Sequence, residues 1–313
     1  MKKVLSVACA LCMTTAMLTG CGSSNNAGTA ATGEAQNSAA ASTTTEQAST
    51  ATDAGTTLIA LITMDSLDQH WVTLNEGAQK AAAELGVTVQ FMAPNTKDDA
   101  QQIECVNNAV SAGAQAIIVA ANGPDAISSA LREASDAGVK LIYVDSPANV
   151  SAEATFSTDN NAAGKTAGEE MKKALADAGV TSGSIGIINV NAATDSCVMR
   201  EEGFRSAFEG TDFELLETQY GEGDAAKSQS IAENYITQGV VGIFGCNEGS
   251  TTGAGNAIKA SGKDNVIGVG FDKSDAILGL IDDGYLLCTM AQNPDVMGYD
   301  CLLYTSPSPR DRG

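Results

Sequence analysis

Positive charge, histidine and tryptophan are all scarce in this chain. Only 17 Lys and Arg stand against 38 Asp and Glu, a formal net charge of -21, and the pI is near 4.2. Phosphate contacts need clustered Lys and Arg, so nucleic acid is excluded as a partner. Otherwise the acidic balance describes a soluble chain not drawn to anionic surfaces. The single histidine, His70, has no second His and no Cys nearby. It reads as a ligand-contact or surface residue, and no metal site is expected. The chain has no GxSxG, no Cys–His pair and no metal-ligand cluster, so the residues argue against an enzyme. Gly164-Lys165-Thr166 resembles the end of a phosphate loop, but Asp159 stands where its first glycine belongs, and a carboxylate repels phosphate. Gly268-Val269-Gly270 lacks a third glycine and opens no helix, so no dinucleotide site and no cofactor is expected.

What is present begins with a secretion signal. Met1-Lys2-Lys3 supplies the positive start, and Val4 to Leu18 supplies an apolar run too short to span a bilayer comfortably. Leu18-Thr19-Gly20-Cys21 resembles the cleavage box of bacterial lipoproteins, which implies removal of residues 1–20 and a lipid on the Cys21 sulfur. Residues 22–56 are Ser, Thr, Ala, Gly and Asn with almost no large apolar side chain, too little to bury and fold. They read as a tether of roughly 30–35 Å root-mean-square reach. Two of the eight cysteines, Cys9 and Cys12, would leave with the signal. The remaining Cys105, Cys197, Cys246, Cys288 and Cys301 are odd in number and mostly set in apolar runs, and read as small buried hydrophobes.

The folded part is organised around Leu58 to Leu85. An apolar run, Leu58 to Thr63, breaks into a polar loop, Met64 to Trp71; Leu74, Ala78, Ala81 and Leu85 then recur at helical spacing before Gly86. Ligands of open α/β sheets bind where a strand's carboxyl end opens into a helix. This loop offers two carboxylates, an amide, the imidazole and the indole, a set suited to a small polyhydroxylated ligand.

Strand and helix alternate from there. Strands are expected at 58–63, 87–92, 116–121, 140–144, 184–190, 213–219, 240–245, 266–270 and 286–290, with helices at 126–136, 163–178, 202–209 and 274–283. Continuously apolar strands need cover on both faces, which implies parallel, helix-sandwiched sheets. The chain also echoes itself. Ala116–Ala121, Asn122, helix, Leu141–Val144, Asp145 is followed later by Val240–Gly245, Asn247, helix, Val266–Gly270, Asp272. Two similar lobes would each bring an amide and a carboxylate to a carboxyl edge, and the facing edges would form a cleft.

The segments Asn75-Glu76-Gly77-Ala78-Gln79, Val144-Asp145, Ser157-Thr158-Asp159-Asn160, Arg200-Glu201-Glu202-Gly203-Phe204, Cys246-Asn247-Glu248, Val269-Gly270-Phe271-Asp272 and Ala291-Gln292-Asn293-Pro294, in this order and spacing, resemble the sugar-binding receptors of ABC importers of the ribose-binding type. The resemblance covers Thr57 to about Leu302. It implies an α/β protein of the type I periplasmic-binding-protein class: two Rossmann-like lobes with parallel sheets and a ligand cleft between them. The lobes would be residues 57–157 and 158–291, with a return crossing at 292–303. The resemblance places Asp68, His70, Trp71, Asp145, Arg200, Asn247, Asp272 and Gln292 against the ligand, with Trp71 over an apolar face of the sugar ring. It places hinges at Thr158, Asp159, Gln292 and Asn293.

Departures from that pattern are informative. Ser146 stands where ribose-binding proteins carry an Arg, His70 replaces a Phe, and Ala120 and Gly223 replace further contact residues. The hydroxylated ligand class stands, and a different pentose, hexose, deoxysugar or polyol is expected in place of ribose. Residues 304–313, polar, Pro-rich and basic, resemble adapter read-through and read as a foreign tail on a truncated frame. The expected protein is a lipid-anchored, monomeric receptor on the outer face of the bacterial cell membrane, delivering sugar or polyol to an ABC permease. The alternative is a module of the same fold presenting its ligand to a sensor kinase or chemoreceptor. Gene-regulator relatives of the fold are excluded, because a secretion signal and no basic DNA-binding helix precedes Thr57.

Overall fold

The computed structural model describes residues 57–305; the signal, Cys21, the tether and all but the first two residues of the expected tail lie outside the described residues. Strand β1 (Leu58–Ile62) is buried along nearly its whole length. Helix α1 (Gln69–Leu85) follows it and ends at Gly86, whose φ of 66° lets its N–H reach back to the Ala82 carbonyl. The chain continues through β2 (Thr88–Met92), α2 (Asp99–Ser111), β3 (Ala116–Val119), α3 (Ser128–Asp136), β4 (Lys140–Val144) and β5 (Ala154–Phe156). These strands form one parallel sheet in the order β2-β1-β3-β4-β5.

After a short crossing come α4 (Asn160–Asp177), β6 (Gly183–Asn189), α5 (Asp195–Ser206), β7 (Phe213–Leu215), β8 (Gln219–Tyr220), α6 (Ala225–Gln238), β9 (Gly242–Gly245), α7 (Glu248–Ser261), β10 (Ile267–Phe271), α8 (Asp275–Asp282) and β11 (Cys288–Met290). The second sheet is also parallel, in the order β11-β10-β9-β6-β7, with β8 pairing the far end of β6. The first strand of each unit is therefore internal, with its successor on one side and a later strand, β3 or β9, on the other. This reversal makes a topological switch point at each carboxyl edge. Helix α9 (Pro294–Thr305) returns to pack on α1 and the first sheet.

Period-2 alternation sorts each strand's residues between two cores. Ile59, Leu61, Ile118, Ile142 and Val144 face α1 and α9, while Ala60, Ile62, Ile117, Val119, Leu141 and Tyr143 face α2 and α3. Glycines bring the returning helix close. A Cβ on Gly77 would sit 1.9 Å from the Asp295 carbonyl oxygen, and one on Gly298 2.0 Å from that of Leu74. The same device joins α4 to α5: a Cβ on Gly164 would meet the Arg200 carbonyl oxygen at 2.0 Å. The Gly-Lys-Thr at 164–166 thus lies inside a helix, its glycine required by a close helix crossing.

Several expected elements differ. The first loop is shorter than expected, because α1 begins at Gln69 and takes in His70 and Trp71. The run expected at 213–219 breaks into β7 and β8. Helix α5 runs over Asp195–Ser206 in place of 202–209. Strand β5 was not expected at all: at three residues, none fully buried, it leaves no periodic trace. All five cysteines in the described residues are free; Cys197, Cys246 and Cys301 are buried and the other two half-buried.

Candidate functional site

The two sheets end in the same local structure. The residue after β4 is Asp145, with φ 58°, and the residue after β10 is Asp272, with φ 72°. Their amides donate to the last residue of the neighbouring strand, Asp145 to Phe156 at 2.8 Å and Asp272 to Met290 at 3.0 Å. Left-handed backbone is costly for a residue with a Cβ, and Asp tolerates it better than most. Strain repeated at equivalent places marks sites where a side chain must be aimed. Both carboxylates are buried and both line one cavity of about 20 Å³ between the sheets' carboxyl edges.

All eight residues singled out as ligand contacts line that cavity: Asp68, His70, Trp71, Asp145, Arg200, Asn247, Asp272 and Gln292. Arg200, on α5, is buried and spans the two units. Its Nη2 donates to Asp145 Oδ1 at 3.2 Å, its Nη1 to the Cys246 carbonyl at 3.1 Å and its Nε to Asn160 Oδ1 at 2.8 Å. Its guanidinium lies 4.0 Å from the centroid of the Phe271 ring and 3.9 Å from Asp272 Oδ2. The carboxylates of Asp145 and Asp272 outweigh the cost of burial and raise its already high pKa further. Asp272 accepts from the Gln292 amide and, at 2.9 Å, from the Glu248 backbone N–H. His70 Nδ1 stands 3.6 Å from Asp272 Oδ1, and its ring meets Trp71 edge-on at 4.6 Å. Trp71 also belongs to the α1 core, so one side of the indole packs inward.

A second charged cluster sits at the first loop. Lys97, after β2, bridges Asp65 and Asp68, the latter at 2.7 Å. The two carboxyls respond oppositely. Burial opposes both, but Asp65 also accepts from the backbone amides of Leu67 at 2.7 Å and Asp68 at 2.8 Å, and its pKa is lowered. Asp68 has Lys97 alone; burial, reinforced by the Asp65 charge, pushes it up to about 6.

Lys97, Met64, Val190, Ser196 and Cys197 line the cavity but were not read from the sequence. Lys97 sits just past the carboxyl end of β2, the position where the switch-point rule points. Ser196 and Cys197 were missed because the start of α5 was misplaced. Asn122 does not act as the amide matching Asn247. Its side chain donates to Asp99 at 2.6 Å and its carbonyl accepts from Thr194 Oγ1 at 2.7 Å, outside the cavity. Ala120 and Gly223 do not line the cavity either. Ser146 Oγ accepts from the Ser196 amide at 3.3 Å, joining the two units. Of the residues expected at hinges, Thr158 donates to Gln292 Oε1 at 2.7 Å, which ties the two crossing segments together. Asp159 caps α4 through the Ala162 amide at 3.0 Å, and Asn293 lies one residue before α9.

Five buried side-chain polar atoms among the described residues have no hydrogen-bond partner: His70 Nε2, Trp71 Nε1, Ser196 Oγ, Asn247 Nδ2 and Ser228 Oγ. The first four belong to residues lining the cavity. Native interiors seldom leave such atoms unpaired, and their gathering in one place makes this cavity the candidate site for a polar guest. Two like-wound sheets enclosing such a cavity define a bilobed ligand-binding protein.

The periplasmic binding protein domain model matches residues 59–304, and the chain belongs to that family. It is 29% identical over 253 residues to the ribose import binding protein RbsB of Haemophilus influenzae, covering 80% of this chain and 84% of the relative. A carbohydrate transporter solute-binding protein from Agrobacterium radiobacter in complex with D-arabinose superposes with a TM-score of 0.77 at 27% identity, over 80% of this chain and 88% of that one. An ABC transporter solute-binding protein from Agrobacterium vitis with bound D-fucose gives 0.75 at 28% identity, over 79% and 87%.

Proposed function

We propose that this protein is an extracytoplasmic receptor that captures a monosaccharide or polyol between its lobes and delivers it, chemically unchanged, to an ABC-importer permease. The observation that carries this reading is the set of unpartnered polar atoms on both sides of the cavity: His70 and Trp71 from one lobe, Ser196 and Asn247 from the other. The indole N–H and the Asn247 amide are donors that a ligand hydroxyl oxygen satisfies, and Asp145 accepts in return. Arg200 already uses three of its donor positions on the protein, so its role is to hold Asp145 beside Asp272 and to offer what remains. Relatives named for ribose import, and neighbours solved with D-arabinose and D-fucose, support a small neutral sugar. Ser146, standing where the resemblance puts a charged donor, favours a pentose, hexose, deoxysugar or polyol other than ribose.

A cavity of about 20 Å³ holds roughly one water, so a sugar enters only when the lobes part. Lobes at 57–157 and 158–291, the return at 292–303 and hinges at Thr158–Asp159 and Gln292–Asn293 account for that motion, because these segments link the two sheets. A lipid on Cys21 and the tether behind it would keep a monomeric receptor within reach of the membrane. A thermal-shift panel of pentoses, hexoses, deoxysugars and polyols tests the reading. A ligand at 100 times its Kd adds about 2.7 kcal/mol, a clear rise in Tm. A panel in which no sugar raises Tm would overturn it.

A further inference from the structure

The amino ends of two helices, one in each lobe, donate a backbone hydrogen bond to a side chain of the opposite lobe. The four N–H groups opening a helix need outside partners. At α1 the residue in the cap position is Asp68, yet its side chain makes no cap bond, because Lys97 holds the carboxylate. The acceptor comes instead from across the cleft: Glu248, the first residue of α7, takes the His70 amide at 3.2 Å. At α8, Ser274 caps the Ile277 amide, and the opening amide of Asp275 is taken at 3.2 Å by Gln69 Oε1, the first residue of α1. Each lobe thus completes a helix start in the other.

We propose that Glu248 and Gln69 form a reciprocal cross-lobe cap that exists only when the lobes are closed and that positions Asp272 and His70 for the ligand. The link to the cavity is direct. Glu248 donates its own backbone N–H to Asp272 Oδ2 at 2.9 Å while its carboxylate holds the amide of His70, whose ring faces Asp272. Opening the cleft strands two helix amides and loosens both cavity walls at once. This rests on the reading that the lobes open and close, and not on the ligand being a sugar.

The charge on Glu248 is secondary. The groups facing it are Asp68 and His70 from the start of α1, Lys97 between Asp65 and Asp68, and Asp272 after β10. Burial first, then Asp68, push its carboxyl up to about 7. Its cap oxygen accepts from an amide in either protonation state, so Glu248→Gln should preserve the device and Glu248→Ala should abolish it.

Amide hydrogen exchange on the full chain, with no sugar added, tests the proposal. The peptides followed cover residues 66–74, 272–279 and, as a core control, β9. Glu248→Ala should speed exchange on the order of tenfold in 66–74, the equilibrium equivalent of a lost cap. It should also speed 272–279, where the Asp275 amide is not a partner of Glu248. Gln69→Ala should give the same pair of changes, Glu248→Gln should give neither, and β9 should hold steady throughout. Acceleration confined to each variant's own amide partner, or spread equally to β9, overturns the proposal. A separate sugar titration reports on the proposed function, so the two readings fail independently.

Discussion

Among the described residues, two clusters each set one cation between two carboxylates, and they behave differently. Lys97 with Asp65 and Asp68 comes entirely from the first lobe, from the loops after β1 and β2. Arg200 belongs to the second lobe and reaches Asp145 of the first and Asp272 of its own. On the proposed opening of the lobes, the Lys97 cluster would persist in both arrangements, whereas the Arg200 cluster would be complete only in the closed one. The choice of cation matches: a planar guanidinium can lie on Phe271 and serve partners in several directions at once, which an ammonium on a flexible stem cannot.

Replacing Arg200 is the harshest way to break this comparison. Arg200→Met leaves two buried carboxylates facing each other and should cost about 3–5 kcal/mol of stability, read from denaturant midpoints. A cost under about 1 kcal/mol would remove its bridging role. Asp145→Ala or Asp272→Ala should each weaken sugar binding about 10- to 100-fold, or ~1.5–3 kcal/mol, by calorimetric titration. Lys97→Met should cost less than Arg200→Met, about 1–2 kcal/mol, because Asp65 keeps its two backbone donors and Asp68 can take up a proton. Equal losses in the two Met variants would erase the distinction.

The pH dependence of Tm sharpens the same point. Asp68, raised to about 6, and Glu248, raised to about 7, favour the protonated form when folded. Their contribution to stability is full below their ordinary values of 3.8 and 4.5 and is lost as pH rises through 6 and 7. Asp65 and Glu201, both lowered, act the other way and lose their contribution as pH falls below the ordinary carboxylate range. Scanning calorimetry should show Tm falling between about pH 5 and pH 8; a steady rise over that window would contradict the assignment. The smallest effect belongs to the surface: Lys227→Ala, breaking the exposed pair with Glu222, should shift stability by no more than about 0.5 kcal/mol.

Much of the cavity lining was legible because many of its residues follow strand ends, where apolar runs stop and polar residues begin. Asp145 and Asp272 could be paired by the repeat around them, and their shared left-handed backbone is the physical form of that repeat. What stayed hidden had no periodic carrier. Lys97 lies in a polar loop whose register only the tertiary fold sets. The first turn of α5, with Ser196 and Cys197, lacks a repeating apolar face. Asn122 misled because a matching position in sequence does not fix a rotamer: its side chain is taken by Asp99 before it can reach the cavity. The cross-lobe caps depend on groups 178 and 206 residues apart, which no local pattern encodes.

The chain's only tryptophan lies in the cavity wall, so its emission reports on the site with no background from other indoles. Titrating the sugar and polyol panel while following Trp71 fluorescence tests the central claim most directly. A saturable change with at least one sugar, lost when Asp145 and Asp272 are both replaced by Ala, is the predicted result. A flat signal across the panel, or a saturation curve unaltered in the double variant, would contradict it.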